Sequence, residues 1–370
     1  MAIINYLTRV AFDFGEVVKT PAYAAELSIA TPLVVTDPGL TEIGLVDRLL
    51  DAFDVRPALF DATPANPTED AVLAAFDVYR ANACDGIIAF GGGSSIDLAK
   101  GVRLLTGHPP PLAQYAAIEG GMARIGGDIC PLIAVPTTAG TGSEVGRGAI
   151  ITLADGRKLG ILSPHMLPSL AVCDPELTLG LGPFLTAATG MDALSHCLET
   201  YMSAAVNPPA DAIALDGLRR GVAALPRAVE DGTDRDARWN MMMAATEGAM
   251  AFQKGLGAIH SLTHPMGTLG DGSLHHGTLN AILAPAVLRF NRPAIGDKWD
   301  VLAGILGDPP DEAIAAVNHR IGIPSGLRAL GVTPADCDAI AVAATKDHCH
   351  ATNPRIATVA EYRAILEEAF

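Results

Sequence analysis

In the first half of the chain, short unbroken apolar runs alternate with segments whose apolar residues recur at helical period. Leu33-Val34-Val35-Thr36 reads as a buried strand that stops at Asp37-Pro38-Gly39, and a helix is expected next, with Ile43, Val46, Leu50 and Phe53 on one face. Asn66-Pro67-Thr68 then caps a helix over 69–82. Gly86-Ile87-Ile88-Ala89-Phe90 is a second buried strand, running straight into Gly91-Gly92-Gly93-Ser94 and a helix over 95–105. Strands at 132–135, 149–153, 158–162 and 170–173 complete this half, and Asp174-Pro175-Glu176 closes it. Apolar strands without polar alternation, separated by helices, predict a parallel, Rossmann-like α/β sheet covered on both faces.

From about Leu181 the pattern changes. Strand-like runs vanish, and helical segments follow at 183–203, 208–225, 234–254, 257–270 and 276–290, with shorter ones at 296–306, 310–321 and 335–346. The turn Leu179-Gly180-Leu181-Gly182-Pro183 is the expected hinge. The 370 residues exceed one typical core, so the sequence predicts an α/β domain over 1–180 and an all-α domain over 181–370, with a cleft suited to a two-part site.

Charge narrows the partners. Twenty-five basic residues against 41 acidic ones give −16, which argues against nucleic acid and anionic membrane surfaces. The start, MAIINYLTRVAFDFGE, lacks a long apolar core and carries Asp13 and Glu16, so a signal peptide is not expected. Six scattered cysteines with no CxxC read as reduced thiols of a cytoplasmic protein.

The densest chemistry lies between Lys254 and Asn280, KGLGAIHSLTHPMGTLGDGSLHHGTLN. His260 and His264 are one helical turn apart, and His275 and His276 open the next helical run. A helix with wet-face histidines would look the same, but upstream Asp192 and His196 repeat the i, i+4 spacing in Gly190-Met191-Asp192-Ala193-Leu194-Ser195-His196. One carboxylate and three imidazoles make an N3O donor set that suits Fe2+, Zn2+ or Mn2+. In the first half, a strand, a glycine turn and a helix start form the geometry that holds a pyrophosphate, although a tight βα turn alone would also use glycines. Asp37 at a strand end is either a ribose-binding carboxylate or an Asx turn before Pro38.

Gly91-Gly92-Gly93-Ser94, Pro136-Thr137-Thr138-Ala139-Gly140-Thr141-Gly142-Ser143-Glu144, the GMDALSH run and the His260 block stand in one order along nearly the whole chain. In this they resemble the iron-containing (group III) alcohol dehydrogenases. The resemblance implies a dehydroquinate synthase-like architecture and a metal-dependent enzyme passing hydride between a small primary alcohol or hydroxy acid and NAD. It also implies a homodimer or higher homo-oligomer. Asp192, His196, His260 and His276 are the implied metal ligands. The family usually has Pro-His-Gly here, at a spacing of ten; this chain has twelve, with His275 in place of the proline, so Gly277 anchors the choice of His276. His264 is implied beside the metal, as a proton relay. Gly91, Gly92, Gly93, Ser94, Thr137, Thr138, Thr141 and Lys158 are implied at the cofactor, Asp97 near the nicotinamide, and Asp37 as an acid favouring NAD over NADP.

The segment Asp347-His348-Cys349-His350 looks like a further metal cluster, but a capped loop is the favoured reading. The following Thr352-Asn353-Pro354-Arg355 resembles a segment that closes over the family's cleft, which implies that His350 touches substrate. The wording of the His260 block resembles 4-hydroxybutyrate dehydrogenase-like members. An acidic substrate would need a basic anchor, for which Arg147, Arg289 and Arg355 are the candidates. Two rivals are a dehydroquinate synthase-like lyase, which should place several Lys/Arg beside the ligands, and a non-catalytic nucleotide- or metal-binding relative.

Overall fold

Strand residues in the first half point alternately to two apolar layers. Leu33, Val35, Ile87, Ala89, Leu132 and Ala134 join one buried cluster, while Val34, Ile88, Phe90, Ile133 and Val135 join the other. Both faces are therefore dry, which is why these strands are continuous apolar runs. Fully burying one such side chain contributes roughly 1.5–3 kcal/mol. The structure is a computed structural model and describes residues 9–267, 269 and 274–370.

The six-stranded sheet has the order β1-β8-β5-β4-β2-β3: Val10–Phe12 (β1), Pro32–Val35 (β2), Ala58–Phe60 (β3), Gly86–Gly91 (β4), Leu132–Pro136 (β5) and Leu170–Cys173 (β8). All its pairings are parallel. Between β5 and β8, Gly148–Thr152 (β6) and Lys158–Leu162 (β7) form a separate antiparallel pair. Their apolar runs predict two more parallel strands, which they are not. The link between them is too short for a parallel crossover, and Asp155-Gly156, with Gly156 at φ +84°, turns the chain back on itself. The three-residue edge strands β1 and β3 escaped the pattern because they are too short to show a period.

The helices of this half are Thr20–Glu26 (α1), Pro38–Glu42 (α2), Asp47–Leu50 (α3), Glu69–Ala81 (α4) and Gly93–Leu105 (α5). The single helix expected after β2 is instead two short ones. Gly44 between them takes φ +69°, which ends helical geometry, and Ile43 is left 72% exposed rather than on a core face.

The second half is helical: Pro183–Met202 (α6), Pro208–Glu230 (α7), Arg235–Ala251 (α8), Ala258–Met266 (α9), His276–Ile295 (α10), Lys298–Leu306 (α11), Pro310–Arg320 (α12), Pro334–Ala344 (α13) and Val359–Glu368 (α14). Helix α6 is buried all round from Thr186 to Met202 and packs against α7, α8 and α10. The expected helix over 257–270 is helical to Met266; its end falls partly outside the described residues. Helix α14 went unread, although Thr358 and Glu361 form a reciprocal capping box that the sequence displays.

By internal contacts, the described chain divides into a sheet unit, 9–138 and 142–178, and a helical unit that takes Ala139–Thr141 together with Leu179–Phe370. No helix among the described residues is long and apolar enough to cross a membrane.

Candidate active site

Helix α6 carries Asp192, His196 and Glu199 at i, i+4 and i+7, so all three project from one face. Helix α9 brings His260 to this face, and the first turn of α10 brings His276. Close packing of the two longer helices depends on Gly277. A Cβ there would meet the Ala188 carbonyl oxygen of α6 at 1.9 Å, so the start of α10 can lie on the α6 backbone only with glycine.

The Nε2 atoms of His196, His260 and His276 each lie 3.7 Å from one atom, Asp192 Oδ1. Metal–ligand bonds of about 2.0–2.2 Å in a tetrahedral shell put neighbouring donors about 3.3–3.6 Å apart, close to what is seen. Asp192, His196 and His260 are buried, whereas the His276 side chain is 38% exposed. The site therefore opens to solvent on the His276 side.

Burial raises the Asp192 carboxyl, but the facing imidazoles outweigh it and hold the group well below the usual carboxylate range. Burial pushes His196 down to about 4, so its ring is neutral and carries a lone pair. Burial also opposes charge on His260, yet hydrogen bonds with Asp192 and Glu199 push it up to about 9. A cation at the centre would take over the role of that proton on Nε2. The Nδ1 of His196 is buried with no hydrogen-bond partner among the described residues. Three imidazole nitrogens converging on one ionised oxygen repel one another unless a cation sits among them. The donor set fits a divalent metal.

Two neighbours fix the donors, and the sequence reading named neither. Glu199 Oε2 lies 2.5 Å from His260 Nδ1, which leaves Nε2 as the nitrogen facing Asp192. Its other oxygen accepts from the Ile259 N–H at 2.6 Å, at the start of α9. Asn280 Nδ2 donates to Asp192 Oδ1 at 2.8 Å, and its Oδ1 accepts from Thr263 Oγ1 at 2.7 Å. Glu199 was detectable as the third acid/histidine position on the Asp192–His196 stripe. Asn280, one turn beyond His276, carried no such signal.

His275 is not among the rings that converge on Asp192 Oδ1; its ring meets Phe184 nearly edge-on at 6.0 Å. His264 lies beside the donors, its ring 5.6 Å from that of His260 and 5.7 Å from that of His276, and its Nδ1 is 2.9 Å from Asp347 Oδ2. His350, expected to touch substrate, hydrogen-bonds through Nδ1 to Tyr362 Oη at 2.9 Å. Asn353, in the segment expected to close a cleft, caps α9 by accepting from the Ala258 N–H at 3.0 Å. Arg289 pairs with Asp311 and Glu368, and Arg355 with Glu361, so neither offers an unpaired charge to a carboxylate substrate.

In the sheet unit, β2 and β4 are neighbours while the chain leaves them toward opposite edges. The crevice beyond the carboxyl ends of such strands is where open α/β sheets bind ligands. Pairing of Val35 with Ala89 places Asp37 and Gly91, each two residues further on, at this point. Gly91 takes φ +154°, and a Cβ would strike Ser95 Oγ at 2.5 Å. Gly92 is the N-cap of α5 without a side-chain cap, so the first N–H groups of the helix, from Gly93 and Ser94 on, suit an anion. Thr138 packs near Gly92, and the Thr137 N–H donates to the Gly91 carbonyl. Ser94 Oγ donates to the Ala65 carbonyl at 2.5 Å, and Lys158 Nζ to Asn66 Oδ1 at 2.8 Å. One oxygen of Asp37 caps α2 by accepting from the Leu40 N–H at 3.1 Å. Asp97 is tied internally: Ser143 Oγ donates to Oδ1 at 2.5 Å and the Ile150 N–H to Oδ2 at 2.9 Å. Thr141 belongs by contacts to the helical unit.

Residues 8–175 match the iron-containing alcohol dehydrogenase family, and residues 186–370 match the C-terminal region of the Fe-containing alcohol dehydrogenase family. A 4-hydroxybutyrate dehydrogenase of Cupriavidus necator is 54% identical over 381 aligned positions covering 100% of both chains. The crystal structure of a 1,3-propanediol oxidoreductase superposes with a TM-score of 0.94 at 35% identity, over 100% of each chain. That of sulfoacetaldehyde reductase from Bifidobacterium kashiwanohense in complex with NAD+ gives 0.91 at 27% identity, over 100% of this chain and 99% of that one.

Proposed function

The chain belongs to the iron-containing alcohol dehydrogenase family, and within that family we propose that it interconverts a small ω-hydroxy acid, 4-hydroxybutyrate first among them, with the corresponding aldehyde. It is a metal- and NAD-dependent oxidoreductase acting on a primary alcohol or its aldehyde. The observation that carries the chemistry is the convergence of three imidazole Nε2 atoms on Asp192 Oδ1 in a largely buried site. The choice of substrate is supported by the extent of identity to the Cupriavidus protein.

In this reading Asp192, His196, His260 and His276 hold the divalent metal, with Fe2+ ahead of Zn2+ or Mn2+. When bound, the metal acidifies the alcohol hydroxyl and NAD accepts the hydride. The rest is the work of this chain's own residues. Glu199 keeps the His260 proton on Nδ1 and so presents Nε2 to the site. Asn280 holds Asp192 Oδ1 toward the three rings. His264 has its Nδ1 proton directed at Asp347, which leaves Nε2 as its proton-accepting nitrogen, and we assign it the relay of the alcohol proton. Gly91, Gly92, Gly93 and Ser94 receive the pyrophosphate at the start of α5. Asp37 accepts from the adenosine ribose through the oxygen that does not cap α2. Thr137, Thr138, Thr141 and Lys158 complete the cofactor contacts, and Asp97, hydrogen-bonded to Ser143 and Ile150, braces the neighbouring wall.

Hydride transfer is favoured over the lyase reading because the relatives are dehydrogenases and reductases. A cytoplasmic homodimer or larger homo-oligomer is part of the proposal; none of the six cysteines is in a disulfide. The test is metal analysis of anaerobically purified protein, followed by NADH production with a panel of ω-hydroxy acids, diols and simple alcohols. About one ion per Asp192 site and the highest kcat/KM with 4-hydroxybutyrate are expected. A preference for uncharged diols would overturn the substrate, and an absence of NADH with every alcohol would overturn the dehydrogenase.

A further inference from the structure

Beside the Asp192 centre lies a second group of side chains able to ligate a metal, of which only His264 has a part in the activity. Asp347, His348 and Cys349 are consecutive on a tight turn just after α13, closed by the Cys349 N–H donating to Asp347 Oδ1 at 2.8 Å. Helices α13 and α9 pack together, and α9 brings His264 to this turn. One donor atom from each of the four residues lies within 4.8 Å of the others. His264 Nδ1 is 2.9 Å from Asp347 Oδ2, His348 Nδ1 is 3.7 Å from Asp347 Oδ1, and His348 Nε2 is 3.4 Å from Cys349 Sγ. The His264 and His348 rings lie nearly parallel, with centroids 5.5 Å apart.

We propose that His264, Asp347, His348 and Cys349 form a second metal site for a borderline-soft divalent cation of the Zn2+ class, distinct from the centre at Asp192. A tetrahedral ion with bonds of about 2.0–2.3 Å holds its donors about 3.3–3.8 Å apart, so donors now within 4.8 Å of one another would draw in by up to about 1 Å. A thiolate in the donor set separates the two sites chemically. Sulfur favours Zn2+ or Co2+ over Mg2+ or Mn2+, whereas the Asp192 centre has only oxygen and nitrogen donors. Cys349 gives up its thiol proton to solvent as the ion binds. Cys349 is buried and His348 is 65% exposed, so the ion would enter from the His348 side. Occupancy would pin the 347–349 turn to α9 and take His264 Nδ1 from its hydrogen bond with Asp347. That leaves the ring proton on Nε2, so the relay works only with this second site empty.

The test uses the metal-loaded, reduced enzyme, titrated with Co2+ under anaerobic conditions. A near-ultraviolet thiolate-to-cobalt band can arise at this site and not at the Asp192 centre, which has no sulfur. The band should saturate at about one added equivalent per chain and vanish in Cys349→Ser. In His348→Ala, a change at an exposed position that leaves folding intact, about tenfold or more Co2+ should be needed to reach the same band. Total bound metal should fall from two ions per chain to one in Cys349→Ser. No band in the wild type, a band surviving in Cys349→Ser, or a stoichiometry fixed at one ion would each overturn the proposal. Because the readout is the thiolate band, failure of the dehydrogenase reading would leave this result standing.

Discussion

Glu199 Oε2 stands 2.5 Å from Nδ1 of His260, on the same face of α6 that presents Asp192 and His196. One helix thus supplies two of the proposed metal donors and the carboxylate that orients a third. Both groups are buried, so the bond sets the ring's tautomer and its rotation together. Glu199→Gln should fold, because the amide oxygen can still accept from the Ile259 N–H, but metal affinity should drop about 10–100-fold, the usual effect of losing such a partner. Chelator competition on the purified variant measures this. Unchanged affinity would make Glu199 only a helix cap.

The four donors should separate by variant. His260→Ala and His276→Ala should lose the ion and turnover while keeping NAD affinity close to wild type. His275→Ala should keep both, because its ring packs on Phe184 and is not one of the three whose Nε2 meets Asp192 Oδ1. Metal content by elemental analysis, paired with NAD binding by fluorescence, distinguishes these outcomes. Loss of the ion in His275→Ala alone would exchange the roles of the two residues.

His264→Ala should retain the ion at Asp192 and the affinity for NAD, yet lose about 10²–10⁴-fold in kcat, the ordinary contribution of a positioned acid–base group. A near-normal kcat would leave His264 as a packing partner of His260 and His276, and an emptied Asp192 centre would make it a ligand.

Asp37 both caps α2 and carries the charge that would repel a 2′-phosphate, so the informative variant keeps one and removes the other. Asp37→Ser retains an N-cap acceptor. NADP discrimination should relax by about 1–3 kcal/mol, the scale of one like-charge clash in a partly dry site. An unchanged ratio of kcat/KM for NAD and NADP would reduce Asp37 to its capping role.

Burial, with Asp216 nearby, pushes the Glu247 carboxyl up to about 8 despite Arg220, whose Nε lies 3.6 Å from Oε2 without forming a hydrogen bond. A carboxyl whose folded pKa exceeds its unfolded one binds its proton more tightly in the native state. It therefore costs stability increasingly as pH rises from about 4.5 to 8. Glu247→Gln should raise the Tm at pH 8, by the equivalent of about 1–3 kcal/mol, and change it little at pH 5. Equal gains at both values would point to packing instead of charge.

Periodicity and motif spacing fixed a good deal in advance. The two dry faces of the sheet were written in unbroken apolar runs, and the all-α half in its loss of strand-like segments. The i, i+4 pairs placed Asp192 with His196 and His260 with His264 on common helix faces, because helical geometry alone aligns residues one turn apart. What lay beyond reach depended on which faces meet. Nothing local tells that α9 and α10 bring His260 and His276 to α6 at equal distances, or that Gly277 is there to admit the Ala188 carbonyl. The pair β6–β7 left the sheet because a short Asp-Gly link reversed the chain, a choice that apolar strand content does not register. Arg355 had the residue type of a carboxylate anchor, but Glu361 pairs with it, and His350 engages Tyr362 through Nδ1. In the same way Asp347, His348 and Cys349 read as a capped loop, as Asp347 indeed caps it, and only the packing of α13 on α9 brings His264 beside them. Short-range geometry is encoded within a few residues; pairing between distant segments is set only when the core excludes water and the helices settle against one another.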